Sequence, residues 1–219
     1  MTGPRRPHHD DSARLAKRAQ RRTELLDAAS AAIRRDGAGV SMEALAKEAG
    51  VTKPILYKHF GDRDGLVVAL AERFGGELVA ELEANLQRDL PPEQLLRSTV
   101  DAYLAFIERD PNVYRFLVPR LSVHLGDGID QLGIVSHLGR RIALVVGEQL
   151  RSLGLDSGMA EPWAFGIIGM VHLSGEWWVD RQTLPRARLV EYLSDLLWHG
   201  MSGISAKALQ ALETLETDQ

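Results

Sequence analysis

The hydrophobic positions of this chain recur every three or four residues almost throughout, and no run of β-branched alternation interrupts them. That period is the signature of α-helices with one apolar face, so the pattern predicts an all-helical fold. From about Ser12 to Arg35 the apolar positions are Leu15, Leu25, Leu26, Ala29 and Ile33, and Gly37 ends the run. A second helix opens at Ser41, whose hydroxyl can cap it. It turns Ala44, Leu45 and Ala49 inward and stops at Gly50. Thr52 stands where it can cap a third, short helix ending near Phe60. Pro54 falls in that helix's first turn, where a missing N–H costs nothing. Asp62 caps a fourth helix carrying Leu66, Val67, Leu70, Phe74, Leu78 and Leu82, with Gly75–Gly76 as a candidate kink. Pro91–Pro92 marks the next boundary. Helical segments follow over about 93–109, after Asp110–Pro111, and over about 130–153, 160–181, 185–200 and 204–216, about ten helices in all.

Composition narrows the class. With 45% hydrophobic residues over 219 positions the chain can bury a core. No stretch approaches the roughly 18 uninterrupted apolar residues of a membrane span. The opening MTGPRRPHHDD lacks the apolar centre of a signal peptide, so no membrane partner and a cytoplasmic location are expected. The absence of cysteine excludes disulfides, thiol catalysis and cysteine-ligated zinc. There is no Glu-x-x-His pair, no His-Glu-x-x-His and no glycine-rich phosphate loop. The seven histidines are scattered, with only His8 and His9 adjacent. No catalytic residue, metal ligand or cofactor is assigned, and an enzyme is not expected.

The net charge of −4 conceals a split. Residues 1–60 hold 12 Lys and Arg against 7 Asp and Glu, whereas residues 61–219 hold 14 against 23. A basic segment on an acidic body is the electrostatic footprint of a DNA-reading module. A solvated basic tail gives the same split.

Residues 41–60, SMEALAKEAGVTKPILYKHF, sharpen the choice. Gly50 supplies a tight turn between two short helices, and Leu45, Ala49 and Val51 can pack them together. On the third helix Leu56 and Phe60, four apart, point inward. Lys53, Pro54, Tyr57 and Lys58 share another face. Lys and Tyr can reach phosphate oxygens, and Pro54 or Ile55 a thymine methyl. A plain helical hairpin with a charged face has the same spacing.

The full string is more specific. Leu26-Asp27-Ala28-Ala29, Gly37, Leu45-Ala46, Ala49-Gly50-Val51, Leu56-Tyr57-Lys58-His59-Phe60 and Asp62-Arg63-Asp64-Gly65-Leu66 together resemble the DNA-binding domain of the TetR family of bacterial repressors. The match covers about residues 20–68. The resemblance implies an N-terminal three-helix helix-turn-helix domain followed by a larger C-terminal helical bundle for ligand binding and dimerisation. The expected division is a basic flexible arm over 1–19, the helix-turn-helix over 20–66 and the bundle over 67–219. The implied function is a repressor released from a palindromic, double-stranded DNA operator by a small, largely apolar effector. An activator, or a DNA-binding protein without an effector, is the alternative. DNA contacts are expected from Ser41, Thr52, Lys53, Pro54, Tyr57, Lys58 and His59, with a phosphate contact from Arg63. Pro54 departs from the commonest family pattern, where glycine is frequent. Arg21 and Arg22, from the cluster that includes Arg14, Lys17 and Arg18, are expected to reach the DNA backbone or minor groove.

Beyond residue 90 the sequence is less specific. Tyr103, Phe106, Tyr114, Phe116, Leu117, Leu121, Phe165, Ile168 and His172 are the candidate lining of an effector pocket, although aromatic stripes at helical spacing are commonly plain core. His137 and Arg141 are further candidates for polar contacts. The segment 163–179 is helical in pattern yet carries Gly166, Gly169, Ser174 and Gly175. Each helical glycine costs about 0.5–1 kcal/mol relative to alanine, a cost that close helix approach can offset. With the resemblance, Gly166, Gly169, Trp177, Tyr192, Leu193 and Leu196 are expected in a homodimer interface. A two-fold dimer would set its recognition helices roughly 34 Å apart.

Overall fold

The computed structural model describes residues 9–124 and 133–200, and the side chains of 12–118 and 133–200. The start of the helix expected over about 130–153, the helix expected over 204–216 and the side chain of Leu121 lie outside these residues. All regular structure among the described residues is helical. The helices are α1 (His9–Asp36), α2 (Met42–Glu48), α3 (Lys53–Phe60), α4 (Arg63–Leu86), α5 (Pro92–Arg109), α6 (Pro111–His124), α7 (Ile134–Ser152) and α8 (Ala160–Arg181). A short 3-10 turn, Ser157–Met159, precedes α8, and residues 186–200 form α9.

The chain packs as two compact units. One contains the chain up to Glu72 together with Asn112–His124; the other contains Arg73–Pro111 and the chain from Leu125 onward. The boundary falls inside α4 rather than at its start. It also separates α6 from α5, its neighbour in sequence.

In the first unit, Leu25, Leu26, Ala29 and Ile33 of α1 meet Leu45 of α2, Leu56 and Phe60 of α3, and Leu66 and Leu70 of α4 in a buried core. Each buried leucine contributes about 1.5–3 kcal/mol of hydrophobic stabilisation. Met42 and Ala46 are buried in α2, whereas Ala44 and Ala49 are half-buried. The inward row of that short helix is therefore Met42–Leu45–Ala46, the i, i+3, i+4 set. Residues 12–19, expected in a flexible arm, continue α1 as an exposed helix that includes Leu15.

The turns follow the expected chemistry with one exception. Gly50 has φ +63°, the left-handed conformation that closes the α2–α3 turn. The Ala44 amide donates to Ser41 Oγ at 3.2 Å. The Gly65 amide donates to Asp62 Oδ1 at 2.7 Å. Gly65 also lies against the preceding backbone, where a Cβ would stand 1.9 Å from the Phe60 carbonyl oxygen. Thr52 occupies the N-cap of α3 but makes no side-chain capping bond. Thr52 is exposed at the start of that helix.

The second unit is built around α8. Gly175 packs on α5: a Cβ there would lie 2.9 Å from Ile107 Cδ1 and 3.0 Å from Tyr103 Cε1. Gly139 of α7 accepts the Phe165 ring in the same way, with Cζ at 2.8 Å. Gly75, expected at a kink, lies within an unbroken α4 and makes room for Ile134, whose Cδ1 would be 2.1 Å from a Cβ. Leu150, Leu155 and Ala160 close the turn between α7 and α8, with Trp163 against them. Polar joints add direction. Buried Asn85 of α4 donates to Ser98 Oγ (3.0 Å) and Thr99 Oγ1 (2.8 Å) of α5. Arg186 ties α9 to α5 through Asp101 (2.9 Å) and Glu108 (2.5 Å).

Candidate functional site

The α3 helix divides its residues as the sequence expects. Leu56 and Phe60 are buried, while Thr52, Pro54, Ile55 and Lys58 are exposed. Ile55, at 42% exposure, sets an apolar patch among these polar groups. Tyr57 and Lys53 are half-buried, with the Lys53 ammonium 5.8 Å from the Tyr57 ring centre. Lys53 also pairs with Glu43 of α2, a partner the sequence reading did not single out. The pair links α2 to α3 and leaves the three-donor ammonium able to meet a phosphate as well. Ser41 is exposed at the start of α2 and is engaged in its cap.

A cationic rim surrounds His59. Burial first, then the positive charges of Arg18, Arg21, Lys58 and Arg22, hold its imidazole below the usual histidine value of 6.5. Four cations from α1 and α3 are thus close enough to disfavour a fifth charge. That field favours an incoming anion. Arg22 lies over the Phe60 ring at 5.2 Å and Arg21 pairs with Glu24 at 2.9 Å, so both are oriented by α1 and α3. Arg18 belongs to this rim as well, although the sequence reading favoured only Arg21 and Arg22.

Arg63, expected at a phosphate, is half-buried. Its Nη2 donates to the Val40 carbonyl at 3.2 Å, and its guanidinium lies 5.9 Å from the ring centre of buried Phe116. Both contacts lie within the first unit.

In the second unit, Tyr103 Oη and His172 Nδ1 lie 2.9 Å apart, joining α5 to α8. Both residues are half-buried. Desolvation holds the His172 imidazole below the usual histidine value, with Glu176 pulling the other way. Phe106 is buried and meets Phe74 edge-on at 5.4 Å. Ile168 is half-buried and Phe165 partly exposed, on the same α8. Tyr114, Phe116 and Leu117 lie on α6 and belong to the other unit. Phe116 and Leu117 are core there, because their i, i+1 positions fall on the packed face of α6. His137 Nε2 and Arg141 Nε both approach Glu83 Oε1, at 2.9 and 3.5 Å, in a partly exposed cluster between α7 and α4.

The glycines of α8 separate into two sets. Gly175 is filled from within, as described. At Gly166 and Gly169 a Cβ would meet nothing within 4 Å. Gly166, Met170, Leu173 and Trp177 form one row at helical spacing. Leu173 is 61% exposed and Trp177 43%. On α9, Tyr192 and Leu196, four apart, are also exposed, Leu196 at 61%. Leu193, expected with them, is buried: it shares the inward row Leu189–Leu193–Leu197.

Among the described residues, no helix is long and apolar enough to cross a membrane, and no group of three metal-ligating side chains gathers.

Comparison with known proteins agrees with this arrangement. Residues 25–70 match the family described as "Bacterial regulatory proteins, tetR family". Residues 77–211 match that described as "Tetracyclin repressor-like, C-terminal domain". An uncharacterized HTH-type transcriptional regulator of Mycobacterium tuberculosis is 33% identical over 187 residues, covering 84% of this chain and 79% of that protein. The HTH-type transcriptional activator FasR of Mycolicibacterium smegmatis is 28% identical, with 85% of each chain covered. Among solved structures, a tetR-family regulator from Streptomyces coelicolor has a TM-score of 0.68 at 19% identity, covering 90% of this chain and 86% of that one. FadR of Bacillus subtilis, solved with stearoyl-CoA, has a TM-score of 0.64 at 18% identity, covering 80% and 96%. A helix-turn-helix whose exposed face carries the cations, followed by a helical body, is thus matched along nearly its whole length, and the chain belongs to the TetR family of DNA-binding transcriptional regulators, which are not enzymes.

Proposed function

We propose that this regulator is a homodimeric repressor that leaves a palindromic operator when a small, largely apolar effector enters the bundle. One observation carries the reading: two exposed surfaces of opposite chemistry sit on separate parts of the chain. The first is the cationic and hydroxyl-bearing rim of α1 and α3, suited to phosphates and base edges. Arg21, Arg22, Ser41, Thr52, Lys53, Pro54, Tyr57, Lys58 and His59 are its proposed contacts. The second is the apolar face of α8 and α9, including Gly166, Gly169, Trp177, Tyr192 and Leu196. Exposed apolar side chains of that kind mark an association site where they adjoin, and a second copy of the chain, related by a two-fold axis, would place the two rims on one operator.

For the effector, Tyr103, Phe106, Phe165, Ile168 and His172 supply apolar walls and one polar pair in a single unit. An apolar chain with one hydrogen-bonding end group suits that combination. The stearoyl-CoA bound by B. subtilis FadR, an apolar chain with a polar head, supports the same class. Release follows if the effector binds the DNA-incompetent conformation more tightly than the competent one.

The test is a gel shift on the DNA upstream of the protein's own gene, titrated with acyl-CoA thioesters and free fatty acids of graded length. Release at concentrations that also raise the melting temperature supports the proposal. Thermal stabilisation with unchanged affinity for every fragment would refute induction. Tighter binding would instead favour activation, a second reading supported by the name of the M. smegmatis relative, an activator.

A further inference from the structure

The Arg63 geometry assigns this residue a role that its place in the sequence conceals. Arg63 opens α4, one residue after the Asp62 cap, where the sequence suggests a phosphate contact. Its guanidinium turns inward instead. One nitrogen donates to the carbonyl of Val40, in the loop between α1 and α2. The guanidinium carbon lies over the ring of Phe116 on α6, 5.9 Å from its centre, and that ring has no exposed surface. A second polar contact fixes α6 one turn earlier. Asn112 Nδ2 donates at 2.9 Å to the carbonyl of Arg34, in the last turn of α1. The last carbonyls of a helix lack intrahelical partners, and this one is supplied by α6. Asn112 and Phe116 are four apart and share a face. Val113 and Leu117, each one position on, are buried beside them. The face Asn112–Val113–Phe116–Leu117 is thus keyed to α1, to the α1–α2 loop and to the start of α4.

We propose that Arg63 is a positioning residue that locks α6 onto the DNA-reading unit, not a phosphate ligand. Lysine would not replace it. A guanidinium donates in a plane and can cover a ring with its face, whereas an ammonium is a compact point charge. The lock matters because α6 is joined through Pro111 to α5, which belongs to the other unit. A head that loses α6 keeps its cations but not the fixed placement of α2 and α3.

The proposal rests on the DNA-reading assignment, so the experiment separates the two. Binding to a random-sequence duplex spanning two successive major grooves is followed by fluorescence anisotropy over a salt series. Amide exchange of residues 112–118 is followed by mass spectrometry. If the parent protein shows no salt-dependent binding, the DNA-reading assignment itself fails. If it binds, R63M is expected to weaken affinity several-fold with an unchanged slope of log affinity against log salt. Exchange in 112–118 rises while α5 and α8 stay protected. A slope smaller by about 0.9 per subunit, the loss of one phosphate contact, overturns the proposal. Unchanged exchange in 112–118 also overturns it. R63K provides the decisive arm should R63M fold poorly. The proposal expects R63K to lose α6 protection as R63M does, and a lysine that behaves as wild type in both readouts overturns it. F116L is expected to raise α6 exchange by itself and to add little on top of R63M.

Discussion

The two units expose opposite kinds of side chain. On the first, the exposed positions of α1 and α3 are mostly charged, polar or small, with Arg14, Lys17, Arg18, Arg21, Arg34, Arg35 and Lys58 among them, and the large exposed hydrophobics are only Leu15 and Ile55 among the described residues. On the second, Leu144, Met170, Leu173, Trp177, Tyr192 and Leu196 are all exposed. A surface facing only water has no use for either extreme. The first surface suits a polyanion, whose capture is long-ranged and salt-dependent. The second suits an apolar partner, whose capture is short-ranged and depends on shape.

The sharpest way to break that contrast is to charge the apolar face. L173E/L196E is expected to convert the proposed dimer to a monomer by sedimentation equilibrium. Binding to a two-half-site duplex is expected to fall by about 100-fold or more, because the second head no longer binds intramolecularly. A double variant that sediments like the parent would remove α8 and α9 from the interface.

Next come the two kinds of glycine on α8. G175A places a methyl against Ile107 and Tyr103 in a filled space, and is expected to cost about 1–3 kcal/mol in urea unfolding. G169A meets open space within the chain, so it should raise the intrinsic stability of α8 by about 0.5–1 kcal/mol. If a partner helix packs there, the same methyl weakens dimerisation. Equal costs at both glycines would show that the two environments do not differ.

K58A tests the other surface. The slope of log affinity against log salt should fall by about 0.9 per subunit, with stability and oligomeric state unchanged. An unaltered slope would exclude Lys58 from the phosphate contacts.

The smallest effect is in pH. His172 is held neutral by burial, so its folded value lies below the unfolded 6.5. Above the unfolded value both states are neutral and nothing is lost. As pH falls through 6.5 the unfolded chain takes up the proton first, and stability declines until the folded value is passed. H172Q is expected to flatten this part of the stability profile. An identical decline in parent and variant would place the titration elsewhere.

How much of this was legible in the sequence differs by unit for a physical reason. The helix-turn-helix could be placed from Gly50, Leu56, Phe60 and Asp62 because each acts through neighbours within a turn or two of itself. A left-handed glycine, an inward i, i+4 pair and a cap are local requirements. The α8 glycines were visible as a group, but Gly175 and Gly169 could not be told apart, since only the position of α5 decides which is filled. Leu193 was misplaced for the same reason. Both faces of α9 are apolar, and the period does not say which one meets the chain's own core.

Thr52 and Arg63 show the limit even within the head. Thr52 sits where a cap belongs yet makes no capping bond, and Arg63 sits where a phosphate ligand belongs yet spans to Val40 and Phe116. The sequence by itself determined an all-helical chain, the place of the DNA-reading helices and the cationic character of their rim, because periodicity, caps and charge are short-range properties. Tertiary structure alone decided that α6 joins the reading unit, that the Arg63 guanidinium meets Val40 and Phe116, and which apolar row of α8 is left outward. Each of those depends on contacts between residues far apart in the chain, such as Arg34 with Asn112, for which no local pattern exists.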